Sequence, residues 1–138
     1  MTRGEAQPAW EKVVKTGISD YNSLNREQRV WFNIEPLTTG GIIDHYTNHG
    51  AEHNEDTIND LEMLGFADIA KLLRRINALF ISGQPPTDID KRNKQIVDWN
   101  NEHNALLDQI DEQFWDRNEA LEDALSKHIA KIEIMAGR

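Results

Sequence analysis

Apolar residues recur every three to four positions along most of this chain, which is the spacing of one face of an α-helix. The clearest case is residues 67–80, where an apolar stripe lies opposite Lys71, Arg74 and Arg75. The stripe consists of Ile69, Leu72, Leu73, Ile76 and Phe80. No segment convincingly shows the two-residue alternation of a half-buried strand. The pattern therefore predicts an all-α protein.

Capping signals and helix breakers divide this pattern into separate helices. Asn25 and Gln28 have the spacing of a capping box, so a helix should follow Asn25. Its inward positions are Val30, Trp31, Ile34 and Leu37. Pro36 lacks an amide hydrogen and should kink or end this helix, and Gly40 with Gly41 predicts a tight turn between helices. The whole chain, residues 1–138, is predicted to be a single compact domain of six or seven helices.

Residues 106–132 predict a long C-terminal helix with two distinct faces. Its apolar face consists of Leu106, Ile110, Phe114, Leu121, Ala124, Leu125 and Ile132. Acidic side chains fall on the opposite side. Arg117 lies within the apolar stripe, so either its aliphatic stem carries the charge out to solvent or the helix is kinked near Asp116.

The negative charge of the protein is concentrated in the segment that leads into this helix and in the first two thirds of the helix itself. Residues 98–123 hold nine acidic side chains and one basic one, Arg117, a net charge of −8, whereas the whole chain has −9. Charged outer helix faces are commonly only solvated surface. This face lacks the lysine or arginine at position i+4 that usually pairs with an acidic residue on a helix surface. Trp115 is predicted to project toward the face, and an exposed tryptophan among charges is a common interface anchor. The predicted partner-binding residues are Asp108, Asp111, Glu112, Trp115, Asp116, Glu119, Glu122 and Asp123.

Composition excludes several other classes of protein. The chain has no cysteine, so disulfides and thiol chemistry are ruled out. No stretch approaches the roughly 20 apolar residues that span a bilayer, and the N-terminus lacks the apolar run of a signal peptide, so a cytoplasmic protein is expected. The acidic balance argues against direct binding to nucleic acid or to an anionic membrane, because both are polyanions.

Three histidines, His45, His49 and His53, follow one another at intervals of four residues. Two histidines at that spacing can bind a metal from one helix face. Gly50 should break the helix before His53, however, so surface or loop histidines are the favoured interpretation and neither metal nor cofactor is expected. The carboxylates lie on a solvated face rather than in a cleft, which predicts that the protein is not an enzyme.

Several short motifs carry a resemblance to a known family. They are YNSL (21–24), QR (28–29), GGIIDHYTNHG (40–50), DLEMLG (60–65), AKLL (70–73) and LDQIDEQFW (107–115). In this order they resemble a bacterial family of all-helical domains of unassigned function, over about residues 20–132. The best-known member of that family is a dimeric acidic DNA mimic that binds a transcription regulator. The resemblance implies an all-helical fold and a related role.

The leading hypothesis is a non-enzymatic DNA mimic that occupies the basic surface of a DNA-binding protein such as a transcription regulator. Residues 98–123 would span about 39 Å as a helix, or one acid per roughly 4 Å, whereas duplex DNA carries one charge per about 1.7 Å. Two aligned chains come closer to that density, so a homodimer is expected. The alternatives are an immunity-type or other partner-neutralising protein with a shape-specific interface, and a helical domain without charge mimicry.

Overall fold

The second helix, α2, is the element around which the others pack. In a computed structural model that describes the backbone of residues 6–135 and the side chains of residues 6–132, six α-helices occur and no strand. They are α1 (Gln7–Ser19), α2 (Arg26–Thr47), α3 (Asn54–Met63), α4 (Ala67–Asn77), α5 (Ile89–Val97) and α6 (Asn101–Met135). Short 3-10 helices at Tyr21–Ser23 and His49–His53 precede α2 and α3. The all-α prediction is confirmed.

The predicted inner face of α2 forms the centre of the core. Val30, Trp31, Ile34 and Leu37 are each at most 1% exposed. Helix α6 runs antiparallel to α2, because Asn118 donates to the carbonyl oxygen of Thr38 and His128 bonds that of Glu27, at 3.0 and 2.9 Å. Helices α1, α3 and α5 contact other parts of α2. Among the described helices none is long and apolar enough to cross a membrane.

The predicted start of α2 after Asn25 is confirmed, because the Asn25 side chain reaches a free amide of the first turn. Asn25 Oδ1 accepts from the Gln28 amide at 2.8 Å, and Gln28 Oε1 accepts from the Asn25 amide at 3.0 Å, which completes the capping box. Asp88 caps α5 in the same way, through the Lys91 amide at 2.9 Å. That hydrogen bond stabilises the carboxylate and lowers the pKa of Asp88.

Helix α2 does not end at Pro36, although an end there is one of the two outcomes predicted for this residue. Helix α2 continues past Pro36 and is interrupted five residues later at Gly41, where φ is 86° and ψ is 179°. The loss of one amide hydrogen bond at an exposed proline is outweighed by the core residues buried on either side of it. The tight turn predicted for the glycine pair is therefore a break at one of its two residues.

We expect Gly41→Ala and Gly40→Ala to differ sharply in stability. Backbone angles like those of Gly41 are almost confined to glycine, and a β-carbon there would lie 2.7 Å from Cζ2 of Trp115. Gly41→Ala should therefore lower the free energy of unfolding by about 3 kcal/mol. Gly40 is exposed and helical, and a β-carbon there would meet only the side chain of Asp44, so Gly40→Ala should change the free energy of unfolding by less than about 1 kcal/mol. Urea denaturation measures both, and equal losses would contradict a special role for Gly41.

A buried arginine donates hydrogen bonds to carbonyl oxygens at the C-terminal end of α2, beyond the break at Gly41. Arg92, on α5, is 0% exposed. Its guanidinium donates to the carbonyl oxygen of Tyr46 at 2.6 Å, and also to that of Asn48, at the last turn of α2. The carbonyl of Pro86 accepts a further hydrogen bond at 2.8 Å. The spacing of Ile89, Ile96 and Val97 indicates an apolar inner face for α5, yet Val97 is 80% exposed and the most deeply buried side chain of that helix is the arginine.

Candidate protein-binding surface

The faces of α6 segregate as the sequence pattern predicts. Ile110, Phe114, Leu121 and Leu125 are all 0% exposed and face α2 and the core. On the other side Asp108, Glu112, Asp116, Glu119 and Asp123 are exposed, and Asp111 and Glu122 are partly buried. The structure therefore brings the predicted acidic residues together on one outward surface, which we call the acidic face.

Trp115 belongs partly to this surface and partly to the core. Its side chain is 44% exposed, while the indole packs on the backbone at Gly41 and meets the ring of Phe114 edge-on, with centroids 5.3 Å apart. Burial raises the pKa of the neighbouring Asp111, and a side-chain hydrogen bond with Trp115 lowers it in part. The carboxylates of Asp108 and Glu112 raise the pKa of Asp111 further. Trp115 thus holds α6 against the break in α2 and still offers an aromatic edge to solvent.

Arg117 settles the question of a kink near Asp116. Helix α6 continues through this region without a break, so of the two alternatives it is the stem of Arg117 that carries its charge outward. Its Nε donates to Asp68 Oδ2 at 2.6 Å, and its guanidinium lies 5.2 Å from the ring centroid of Phe66. The hydrogen bond from Arg117 lowers the pKa of Asp68. Arg117 is therefore directed at the α4 side and does not neutralise the acidic face.

The prediction that the face lacks basic partners four residues on is wrong at one position. Lys127 lies 3.2 Å from Asp123 Oδ2, and both side chains are largely exposed. Such an exposed pair adds little stability. Glu122 is also engaged within the protein, because Asn118 donates to it at 3.2 Å. The carboxylates most available to a partner are those of Asp108, Glu112, Asp116 and Glu119.

Two polar side chains that the sequence pattern did not single out fix α6 against α2. Asn118 and His128 are 7% and 8% exposed, and both bond main-chain carbonyl oxygens of α2. Their positions on the inner face of α6 are a detectable signal, since buried polar groups need hydrogen-bond partners. They hold α6 in register against α2.

The family model described as DMP19-like protein matches residues 22–132, which include α2 to α5 and most of α6. The chain belongs to the DMP19-like family. The matched range agrees with the range of about 20–132 expected from the short motifs. Comparison with curated proteins and with solved structures gave no match.

In this DMP19-like protein the residues of the 40–50 motif have structural roles. The hydroxyl of Tyr46 lies 2.6 Å from Oδ1 of Asn77 and 2.9 Å from the carbonyl oxygen of Leu73, so it joins α2 to α4. The Asn48 amide donates to the Asp44 carbonyl oxygen at 3.0 Å, which ends α2. These contacts give Tyr46 a packing role and Asn48 a turn-forming role.

The interpretation of the three histidines as surface or loop residues is wrong for His45, which lies in α2 and is 5% exposed. Burial lowers the pKa of His45 to about 3, so its ring is neutral at physiological pH. His49 is exposed and lies 2.7 Å from Glu52. His53 stacks on Tyr21, with ring centroids 3.6 Å apart. Within residues 6–132 no group of three or more His, Cys, Asp or Glu side chains could hold a metal ion.

Proposed function

We propose that this protein is a non-enzymatic DNA mimic whose acidic face binds the basic surface of a DNA-binding protein. The observation that carries the proposal is the row of carboxylates that α6 turns outward. Arg117, the arginine in the same part of the helix, pairs with Asp68 of α4 and not with these carboxylates. Membership of the DMP19-like family supports it. The partner class that fits best is a transcription regulator, and cytoplasmic location stays a prediction.

The spacing of the carboxylates favours action by two chains. From Asp108 to Glu119 the helix rises about 17 Å, and the most available acids of that stretch are separated by about 4–6 Å along the axis. Duplex DNA presents one charge per about 1.7 Å of axis. Two acidic faces side by side would bring the charge density closer to that of a duplex. We therefore infer a homodimer as the active form.

A partner-neutralising protein with a shape-specific interface is the second candidate. Trp115 favours it, because an aromatic side chain that is 44% exposed at the centre of a charged surface can anchor an interface. In that case affinity would come from burying the indole in a pocket rather than from matching many charges.

Competition with DNA tests the first proposal against the second. The full chain is immobilised, proteins that bind from an extract of the native cells are identified by mass spectrometry, and the DNA-binding partner is purified. We expect the protein to displace duplex DNA from this partner and the complex to weaken steeply as salt rises. A ternary complex with DNA, or an affinity insensitive to salt, would contradict mimicry. A large loss of affinity in Trp115→Phe, with the salt dependence of the residual binding unchanged, would favour the anchored interface.

A further inference from the structure

Helices α1 and α2 and the two 3-10 helices line a partly open cavity of about 820 Å³. Its walls are mainly apolar, with Trp10, Val14, Ile18, Tyr21, Phe32 and Leu37 among the lining side chains. Ile18 is 76% exposed and so borders the opening. No residue of α6 lines the cavity in the described part of the chain, so it is separate from the acidic face. Its volume is that of a small-molecule site rather than of a protein-docking groove.

The carboxylates among the cavity-lining side chains have no lysine or arginine beside them in the described part of the lining. They are those of Asp44 and Glu52. His49, also in the lining, is exposed and engaged with Glu52, while burial lowers the pKa of His53 and favours its neutral form. Aromatic faces such as those of Trp10 and Tyr21 attract cations as well. The lining therefore favours a positively charged group and disfavours a negatively charged one.

A buried histidine adds a hydrogen-bond donor. His45 lines the cavity and is 5% exposed. Asn77 donates to Asn54 Oδ1 at 2.8 Å, so Asn54 Nδ2 is the group that faces His45 Nε2 at 3.1 Å and donates to it. The proton of the neutral ring then sits on Nδ1, for which the described residues supply no acceptor. Gly50 leaves space before this nitrogen, since a β-carbon there would lie 2.7 Å from it.

We propose that this cavity binds a small organic cation that combines an ammonium group, an apolar or aromatic body and an uncharged oxygen acceptor. The ammonium pairs with Asp44 and Glu52, the body packs on Trp10 and Phe32, and the oxygen accepts from Nδ1 of His45. A carboxylate in place of the uncharged oxygen would be repelled by the two acids. The occupant is a free small molecule, not a segment of a protein.

Three related probes test this site on the full-length protein by amide chemical shifts in NMR titrations. Phenylalaninol carries all three features, N-acetylphenylalaninol lacks the positive charge, and phenyllactate is negatively charged. We expect phenylalaninol to shift amides of the cavity-lining residues and to bind at least about fivefold more tightly than its N-acetyl form. Phenyllactate should not bind. Equal affinity of the charged and uncharged probes would overturn the proposal.

A matched pair of variants distinguishes an effect of the two acids in the cavity from an effect of the net charge of the protein. Asp44→Asn with Glu52→Gln should weaken phenylalaninol binding about fivefold or more, whereas Glu55→Gln with Asp90→Asn removes the same charge from exposed positions outside the lining and should leave it unchanged. Equal effects of the two pairs, or shifts confined to the acidic face of α6, would overturn the site. Shifts of cavity amides that follow protein concentration without any probe would show a second copy as the occupant and would also overturn it.

Discussion

Replacing Asp108 by Asn and Glu112 and Glu119 by Gln is expected to weaken binding of the DNA-binding partner about 100-fold. These three carboxylates are exposed on the acidic face. Each should contribute about 1 kcal/mol across a charge-matched interface, and about 1.4 kcal/mol corresponds to a tenfold change. The fold should be retained or slightly stabilised, because Asp108 and Glu112 are like charges four residues apart. Isothermal titration calorimetry measures the affinity and thermal melting the stability.

The control removes three carboxylates that lie elsewhere on the surface. Glu11→Gln, Glu55→Gln and Asp90→Asn alter exposed positions on α1, α3 and α5 and change the net charge from −9 to −6, as the acidic-face variant does. Partner affinity should stay within about threefold of the original, since long-range effects of exposed charges are screened by salt. If both variants bind equally, the acidic face of α6 is not the contact surface and only the overall charge acts.

Arg92→Met is expected to lower the free energy of unfolding by about 4 kcal/mol, a large fraction of the roughly 5–15 kcal/mol typical of a domain. The substitution leaves two carbonyl oxygens at the end of α2 without the guanidinium donor, the buried one of Tyr46 and the partly buried one of Asn48. It also removes a positive charge from the C-terminal end of a helix, where cations are favourable. The loss is partly offset because burial is costly for the charge itself, which is also why burial lowers the pKa of Arg92.

Arg75→Met is the matched control for that substitution. Arg75 lies on the exposed side of α4, so the same chemical change there should shift the free energy of unfolding by less than about 0.5 kcal/mol. Chemical denaturation followed by far-ultraviolet circular dichroism measures both variants. Similar stabilities for Arg92→Met and Arg75→Met would show that the guanidinium is not needed to close the end of α2.

The register of α2 against α6 connects the stability of the core with the acidic face. Trp115 rests on Gly41, and Asn118 bonds Thr38 one turn further along α6. A change at Gly41 therefore acts on the orientation of the same helix that carries the exposed carboxylates. We therefore expect substitutions in the core contact between α2 and α6 to change the position of the acidic face as well.

The local pattern of residues was sufficient for the helical class and for the two faces of α6. Periodicity and capping depend on residues three to four positions apart, and these interactions form whenever the helix forms. The stripe of α4 and the inner face of α2 were predictable for the same reason. The Asp123–Lys127 pair is equally local, and the sequence contained the information needed to predict it.

Other features were decided only by the tertiary structure, because the groups involved are far apart in sequence. Arg92 bonds carbonyl oxygens 44 and 46 positions away, and Arg117 pairs with Asp68 across 49 positions. The cavity likewise combines residues from α1, α2 and both 3-10 helices. Sequence alone determined that this protein has an acidic helix with one apolar side. Packing against α2 decided that the carboxylates face outward, because burial of the apolar side fixes how the helix is turned.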